Sequence, residues 1–127
     1  NINAGRDWGH AKDYVYGMWL MLQAETPDDY VLATNQCHTV REFVEKAFSY
    51  ANFDIGWRGE GVNEVGYDRN TDRILITISE KYFRPTEVEQ LIGNAQKAKN
   101  NLEWIPKVHF NELVKDMVMS DCPTLNQ

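Results

Sequence analysis

Arginine presents a planar fork of N–H donors that grips phosphate or carboxylate oxygens through paired, charge-assisted hydrogen bonds. In a chain of net charge −6, a site for an anionic ligand needs such side chains placed locally. Two arginines, Arg6 beside Asp7 and Arg84 beside Pro85, are far apart in sequence. On residue type alone, the Arg6-Asp7 pair reads as a surface ion pair. Other chemistries find little support. His10, His38 and His109 show no metal-ligand spacing and no neighbouring Cys or Ser nucleophile motif. Cys37 and Cys122 are widely separated without a Cys-x-x-Cys, so neither a disulfide framework nor a zinc site is expected. Gly59-Glu60-Gly61-Val62-Asn63-Glu64-Val65-Gly66 looks superficially like a dinucleotide fingerprint. Its third glycine is misplaced, and strand-like sequence follows where a phosphate cradle needs a helix N-terminus.

Four segments carry a resemblance. They are Arg6-Asp7-Trp8-Gly9-His10-Ala11-Lys12-Asp13-Tyr14-Val15, Val40-Arg41-Glu42-Phe43-Val44-Glu45-Lys46, Val62-Asn63-Glu64-Val65-Gly66 and Tyr82-Phe83-Arg84-Pro85-Thr86-Glu87-Val88. Together they resemble the GDP-mannose 4,6-dehydratase family, a branch of the extended short-chain dehydrogenases/reductases, from Asn1 to about Asp121. The resemblance implies an α/β fold: the C-terminal substrate-binding part of an extended NAD(P)-binding Rossmann-type dehydratase, mostly helices with a few short strands. Residues 1–121 would form the nucleotide-sugar-binding portion and residues 122–127 a polar tail, with the N-terminal cofactor-binding domain absent from this chain. It places Arg6 and Arg84 at the diphosphate-binding positions, and Glu87 where an acid accepts hydrogen bonds from the ribose hydroxyls. It further implies GDP-mannose as substrate, NADP as a cofactor bound by upstream residues, GDP-4-keto-6-deoxy-mannose as product, a place in GDP-fucose synthesis, and a homo-oligomeric full-length enzyme. The superfamily's base is a tyrosine with a lysine four residues later, and Tyr14, Tyr16, Tyr30, Tyr50, Tyr67 and Tyr82 all lack that lysine. Alone, the chain is expected to be catalytically silent. It departs from the family at Gly5, where lysine is common, and at Tyr16, where an acid is usual.

The elements that must position these residues are partly legible. Ala11, Tyr14, Val15, Met18, Trp19 and Leu22 recur at helical spacing, which predicts an amphipathic helix ending near Thr26-Pro27-Asp28-Asp29. Asp7 and Asp13 flank its start, where carboxylates complement the helix dipole, and Trp8, Trp19, Trp57 and Trp104 are expected in the core. Tyr30-Val31-Leu32-Ala33-Thr34 reads as a buried strand. Thr39 and Glu42 form a capping box for a second helix, in which Val40, Phe43, Val44, Ala47, Phe48 and Ala51 repeat the helical spacing. Phe53 to Trp57 reads as a short strand and Arg58 to Asn63 as loop. Asp68 to Arg73 reads as a turn leading into strand Ile74-Leu75-Ile76-Thr77-Ile78, whose partner stays open. Pro85 forbids a helix through its motif and fixes Arg84 just before a short helical segment from about Thr86. Asn94 caps a helix through Leu102, and Phe110, Leu113, Val114, Met117 and Val118 mark the last helix, followed by Pro123 and a polar tail.

At 127 residues the chain has the length of one domain, and with 43% hydrophobic and 25% charged residues it has a globular composition. Its acidity argues against non-specific nucleic-acid or anionic-membrane binding. No apolar run approaches the ~20 residues of a membrane helix, so a soluble, cytoplasmic protein is expected. The missing initiator methionine suggests a piece of a longer protein. Two alternatives stay open: a stand-alone nucleotide-sugar-binding or partner-binding module without catalysis, and another extended-family nucleotide-sugar epimerase or dehydratase.

Overall fold

The computed structural model of the protein describes residues 1–84 and 86–122. Pro85 and the tail residues 123–127, with Pro123, lie outside the described residues, and so do the expectations made for them.

Helix α1 (Ala11–Gln23) forms where the apolar repeat predicts it. Its N-cap is His10, whose Nδ1 accepts the Lys12 N–H at 3.1 Å. Nδ1 is therefore unprotonated, and Nε2 carries the hydrogen that it donates to Asp116 Oδ2 at 3.1 Å. The stripe, however, faces outward. Val15, Met18, Trp19 and Leu22 are exposed, Leu22 by 82%, while Asp13 and Gly17 are buried. The core role expected of Trp19 is thus corrected: it is 52% exposed and stacks on Tyr16 at 5.8 Å. Gly17 is what allows α1 to seat, because a Cβ there would meet Leu32 Cδ1 at 2.6 Å and Trp104 Nε1 at 2.9 Å.

Trp104 is the centre of the core, 1% exposed among Ala33, Ala95 and Ala98, with Tyr14, Leu20, Tyr30, Leu32 and Leu102 packed around it. Its Nε1–H donates to the Asp13 carbonyl at 2.8 Å. The Asp13 carboxylate accepts the Lys107 and Val108 N–H groups, each at 2.9 Å, so this first-turn acid also fastens the segment after Trp104 to α1.

Tyr30–Thr34 is not a strand, contrary to the sequence expectation. A β-strand needs a ladder, and the backbone of Tyr30 to Ala33 takes part in no hydrogen bond among the described residues. Ala33 is buried but Val31 is exposed.

Helix α2 (Val40–Tyr50) has the predicted capping box: Thr39 Oγ1 accepts the Glu42 N–H at 3.1 Å, and the Thr39 N–H donates to Glu42 Oε2 at 2.7 Å. It packs on helix α4 (Phe110–Asp121) through Phe43 and Phe110, whose ring centroids are 6.1 Å apart, edge to face. Trp8 covers Phe43 at 4.8 Å, and His38 stacks on Phe110 at 3.9 Å. Helix α3 spans Gln96–Leu102. Asn94 Oδ1 accepts the Gln96 N–H at 2.9 Å, although the N-cap position itself is Ala95. Among the described residues no helix is long and apolar enough to cross a membrane.

Among the described residues, six short strands form two three-stranded sheets. One is an antiparallel meander of β3 (Ile55–Arg58), β4 (Val65–Asp68) and β5 (Ile74–Thr77), with β4 the partner that the sequence left open. The other has the order β2-β1-β6, with β1 (Gly5–Arg6) antiparallel to β2 (His38–Thr39) and parallel to β6 (Gln90–Leu91). The helical segment expected from Thr86 does not form; the chain bends there and enters β6.

The turn between β4 and β5 is held by Asp68, which accepts the Thr71 hydroxyl at 2.7 Å and the Asn70 N–H at 3.2 Å. The Thr71 hydroxyl, and after it the Asn70 N–H, stabilises the carboxylate and lowers its pKa. The folded pKa lies below the unfolded value of about 3.9, so this contribution to stability is fully present above that pH and is lost as pH falls through the folded value. Asp68→Asn is therefore expected to lower stability at neutral pH and to flatten the loss of stability below about pH 4. Urea unfolding at pH 3 to 6 checks this; parallel curves for the two proteins would refute it.

Candidate functional site

The small sheet brings two of the three nominated residues together. Arg6 lies on β1, and β1 runs parallel to β6, so the residues leading into β6 pass beside it. Arg6 Nη2 donates to Glu87 Oε1 at 2.7 Å, and Nη1 donates to the carbonyls of Gly5 at 2.7 Å and Val88 at 2.9 Å. Both side chains are partly open, 26% for Arg6 and 19% for Glu87. A guanidinium has five N–H donors, so these three bonds leave two for a ligand. Glu87 likewise keeps Oε2, which accepts no hydrogen bond from the described residues. The pair is thus a cation beside an acceptor, each with unused capacity, a combination suited to an anion joined to a hydroxylated ring.

Arg84 is exposed, and no hydrogen bond or ion pair joins it to Arg6, Glu87 or another described residue. It stands three residues before Glu87, and chain geometry alone keeps its Cα within about 11 Å of that of Glu87. The groove that Arg6 lines includes Asp7, Tyr14, Val31, Ala33 and Ile92, but neither Arg84 nor Glu87.

Asp7 corrects another expectation. It does not serve the α1 N-terminus; its carboxylate accepts from Thr34 N–H and Oγ1 at 2.8 and 2.7 Å, and from Asn35 and Gly93 N–H at 3.0 and 3.3 Å. Sequence reasoning missed this because three of those donors are backbone groups remote in the chain. The Tyr14 phenol is pushed above its ordinary pKa by burial first, and then by the charges of Asp7 and Asp13. It remains a neutral hydroxyl at the edge of the groove.

Gly5 and Tyr16, the positions where the resemblance expects lysine and an acid, each have a defined local environment. A Cβ at Gly5 would stand 2.5 Å from Cys37 Sγ, so the thiol occupies the space that a longer side chain at that position would need. Tyr16 lies under the Lys107 ammonium at 5.5 Å, a cation–π contact. Gly59 to Gly66 runs through a 3-10 turn (Gly61–Asn63) into β4. That geometry does not fit a pyrophosphate cradle, and no cofactor step is derived from this chain.

Comparison with known proteins gives the same family. A sequence profile for GDP-mannose 4,6 dehydratase matches residues 1–117. The GDP-mannose 4,6 dehydratase of Dictyostelium discoideum is 57% identical over 121 residues, 95% of this chain and 34% of that protein. The Homo sapiens enzyme of the same name is 53% identical over 121 residues, 95% of this chain and 32% of that protein. The chain therefore spans about one third of the length of these relatives. Among solved structures, RMD from Pseudomonas aeruginosa complexed with NADPH superposes with a TM-score of 0.69 at 15% identity, over 98% of this chain and 34% of that one. A dTDP-glucose 4,6-dehydratase from Bacillus anthracis in complex with NAD gives a TM-score of 0.66 at 20% identity, over 94% of this chain and 31% of that one. At these identities the two structures speak for the fold alone, a mixed α/β fold of Rossmann-type proteins. With a matching profile over most of its length and relatives above half identity, this chain belongs to the GDP-mannose 4,6-dehydratase family.

Proposed function

We propose that this chain is the nucleotide-sugar-binding C-terminal portion of a GDP-mannose 4,6-dehydratase, a lyase acting in the cytoplasm on the route to GDP-fucose. The observation that carries the reading is the Arg6–Glu87 pair at 2.7 Å, with donors and an acceptor to spare. In this reading Arg6 and Arg84 hold the diphosphate of GDP-mannose, and Glu87 Oε2 accepts from the ribose hydroxyls. Binding energy from these contacts, remote from the reacting carbons, then orients the sugar.

In the whole enzyme, NADP held by residues outside this chain would supply the hydride chemistry, while Arg6, Arg84 and Glu87 would hold and orient the nucleotide sugar. The family relatives support the substrate, and the neighbour solved with NADPH supports the cofactor. The outward apolar stripe of α1 and the unladdered Tyr30–Ala33 support a chain that completes itself against a cofactor-binding part. A homo-oligomer of the full-length enzyme belongs to the same proposal.

GDP is expected to raise the melting temperature of the chain, and Arg84→Ala to remove most of that rise while leaving the ligand-free melting temperature unchanged, since Arg84 is exposed and has no ion pair among the described residues. A folded chain with no response to GDP favours an interaction module instead. Conversion of GDP-mannose by the chain and NADP alone would contradict the assignment of catalysis to absent residues.

A further inference from the structure

We infer that Asp7 is a positioning residue whose carboxylate fixes the register of β1 against β6 and so holds the Arg6 guanidinium opposite Glu87, an inference that rests on the nucleotide-sugar reading of that pair. The three strands of this sheet are each two residues long. Their ladders consist of Gly5 with Gln90 and Arg6 with Leu91 on one side, and Gly5 with Thr39 and Arg6 with His38 on the other. A slip of one residue turns every side chain of a strand to the opposite face, and ladders this short do little to resist it. Such a slip would part Arg6 from Glu87.

Asp7 follows β1 directly, and its four hydrogen bonds reach Thr34 and Asn35, ahead of β2, and Gly93, just after β6. One carboxylate thus ties together the chain flanking all three strands. Its partners are themselves constrained. A Cβ at Gly93 would stand 2.2 Å from Ala33 Cβ, so the Gly93 backbone approaches as no other residue could. Asn35 takes a left-handed φ of 60°, and its Oδ1 accepts the Ala95 N–H at 2.9 Å, which extends the clamp toward α3.

All four groups that face Asp7 are donors, so the site needs two acceptor oxygens. Asparagine supplies one and turns an N–H₂ toward N–H groups on the other side of the clamp. The two carboxyl residues of the site region therefore divide the work: Glu87 meets the ligand, and Asp7 keeps Arg6 where Glu87 can be met.

The test compares the wild-type chain with Asp7→Asn and with Asp68→Asn, a control that loosens the distant β4–β5 turn. GDP affinity is measured by calorimetry, and amide hydrogen exchange is followed at residues 5–7, 34–35 and 87–93. Asp7→Asn is expected to weaken GDP at least about tenfold, the equivalent of one charge-assisted hydrogen bond, and to speed exchange in all three segments together, with Asp68→Asn changing neither. Unchanged affinity in Asp7→Asn, or a loss matched by the control, overturns the proposal. If the wild-type chain binds no GDP, the functional reading fails by itself. Exchange then decides the register claim: faster exchange in all three segments supports it, and a change confined to Thr34 and Asn35 overturns it.

Discussion

Trp104→Ala is expected to cost about 3–5 kcal/mol, the range for removing a large aromatic from a packed core. Against a total stability of about 5–15 kcal/mol for a domain, a loss of that size leaves a substantial unfolded population. The effect is large because Trp104 contributes in three ways. Its ring fills the space among Ala33, Ala95 and Ala98, small residues that cannot close over the void. Its Nε1–H satisfies the Asp13 carbonyl. The seat of α1 is shaped to it, since the Gly17 backbone comes close to Nε1. Trp104→Phe should cost less, about 1–3 kcal/mol, from the lost hydrogen bond to the Asp13 carbonyl and the smaller ring. Urea unfolding followed by circular dichroism measures both. A loss below about 1 kcal/mol for the alanine variant would mean that α1 can settle onto the core without Trp104, against the account of the core given above.

The second large effect falls on binding. Arg6→Ala removes the two N–H donors left for phosphate oxygens, and also frees the segment at Glu87 and Val88 that the other donors hold. Charge-assisted hydrogen bonds contribute about 1.5 kcal/mol or more each, so two lost together weaken GDP on the order of 100-fold. Stability should fall far less, by about 1 kcal/mol at most, because the pair is partly open to solvent and screened. Arg6→Lys should recover only a small part of the affinity, since an ammonium keeps the charge without the fork. Isothermal calorimetry separates these outcomes. An alanine variant that binds GDP as well as wild type would exclude Arg6 from the site.

The features that were legible in the sequence are those written in local patterns. The Thr39–Glu42 box fixes the start of α2, and the repeats ending in Leu22 and Val118 mark α1 and α4, because each rests on neighbours three or four residues apart. Asp68 to Arg73 is a turn for the same reason. What escaped was long-range. Strands β1, β2 and β6 are two residues each and carry no readable period, and their pairing joins residues more than thirty positions apart. The helix expected from Thr86 gave way to β6 because pairing with β1 outweighed a weak local signal. The α1 repeat identified a helix correctly but not the direction its stripe faces, since periodicity states that one side is apolar and not what covers it. Tyr30–Ala33 shows the same limit: its composition suits a strand, and a strand also needs a partner. For the site, the motifs nominated Arg6, Arg84 and Glu87, and the fold joined Arg6 to Glu87. Asp7 was read as a helix-end acid because its true partners, three backbone N–H groups and the Thr34 hydroxyl, leave no mark at sequence spacing.

In the proposed reading a nucleoside diphosphate meets the chain at Arg6, Arg84 and Glu87. Titration of the isotope-labelled chain with GDP, followed by nuclear magnetic resonance, tests it most directly. Saturable shifts are expected, concentrated at the Arg6 and Arg84 side-chain Nε–H signals and the amides of residues 86 to 93, and abolished in Arg6→Ala. Shifts clustered elsewhere, or a well-folded spectrum that GDP leaves unchanged, would contradict it.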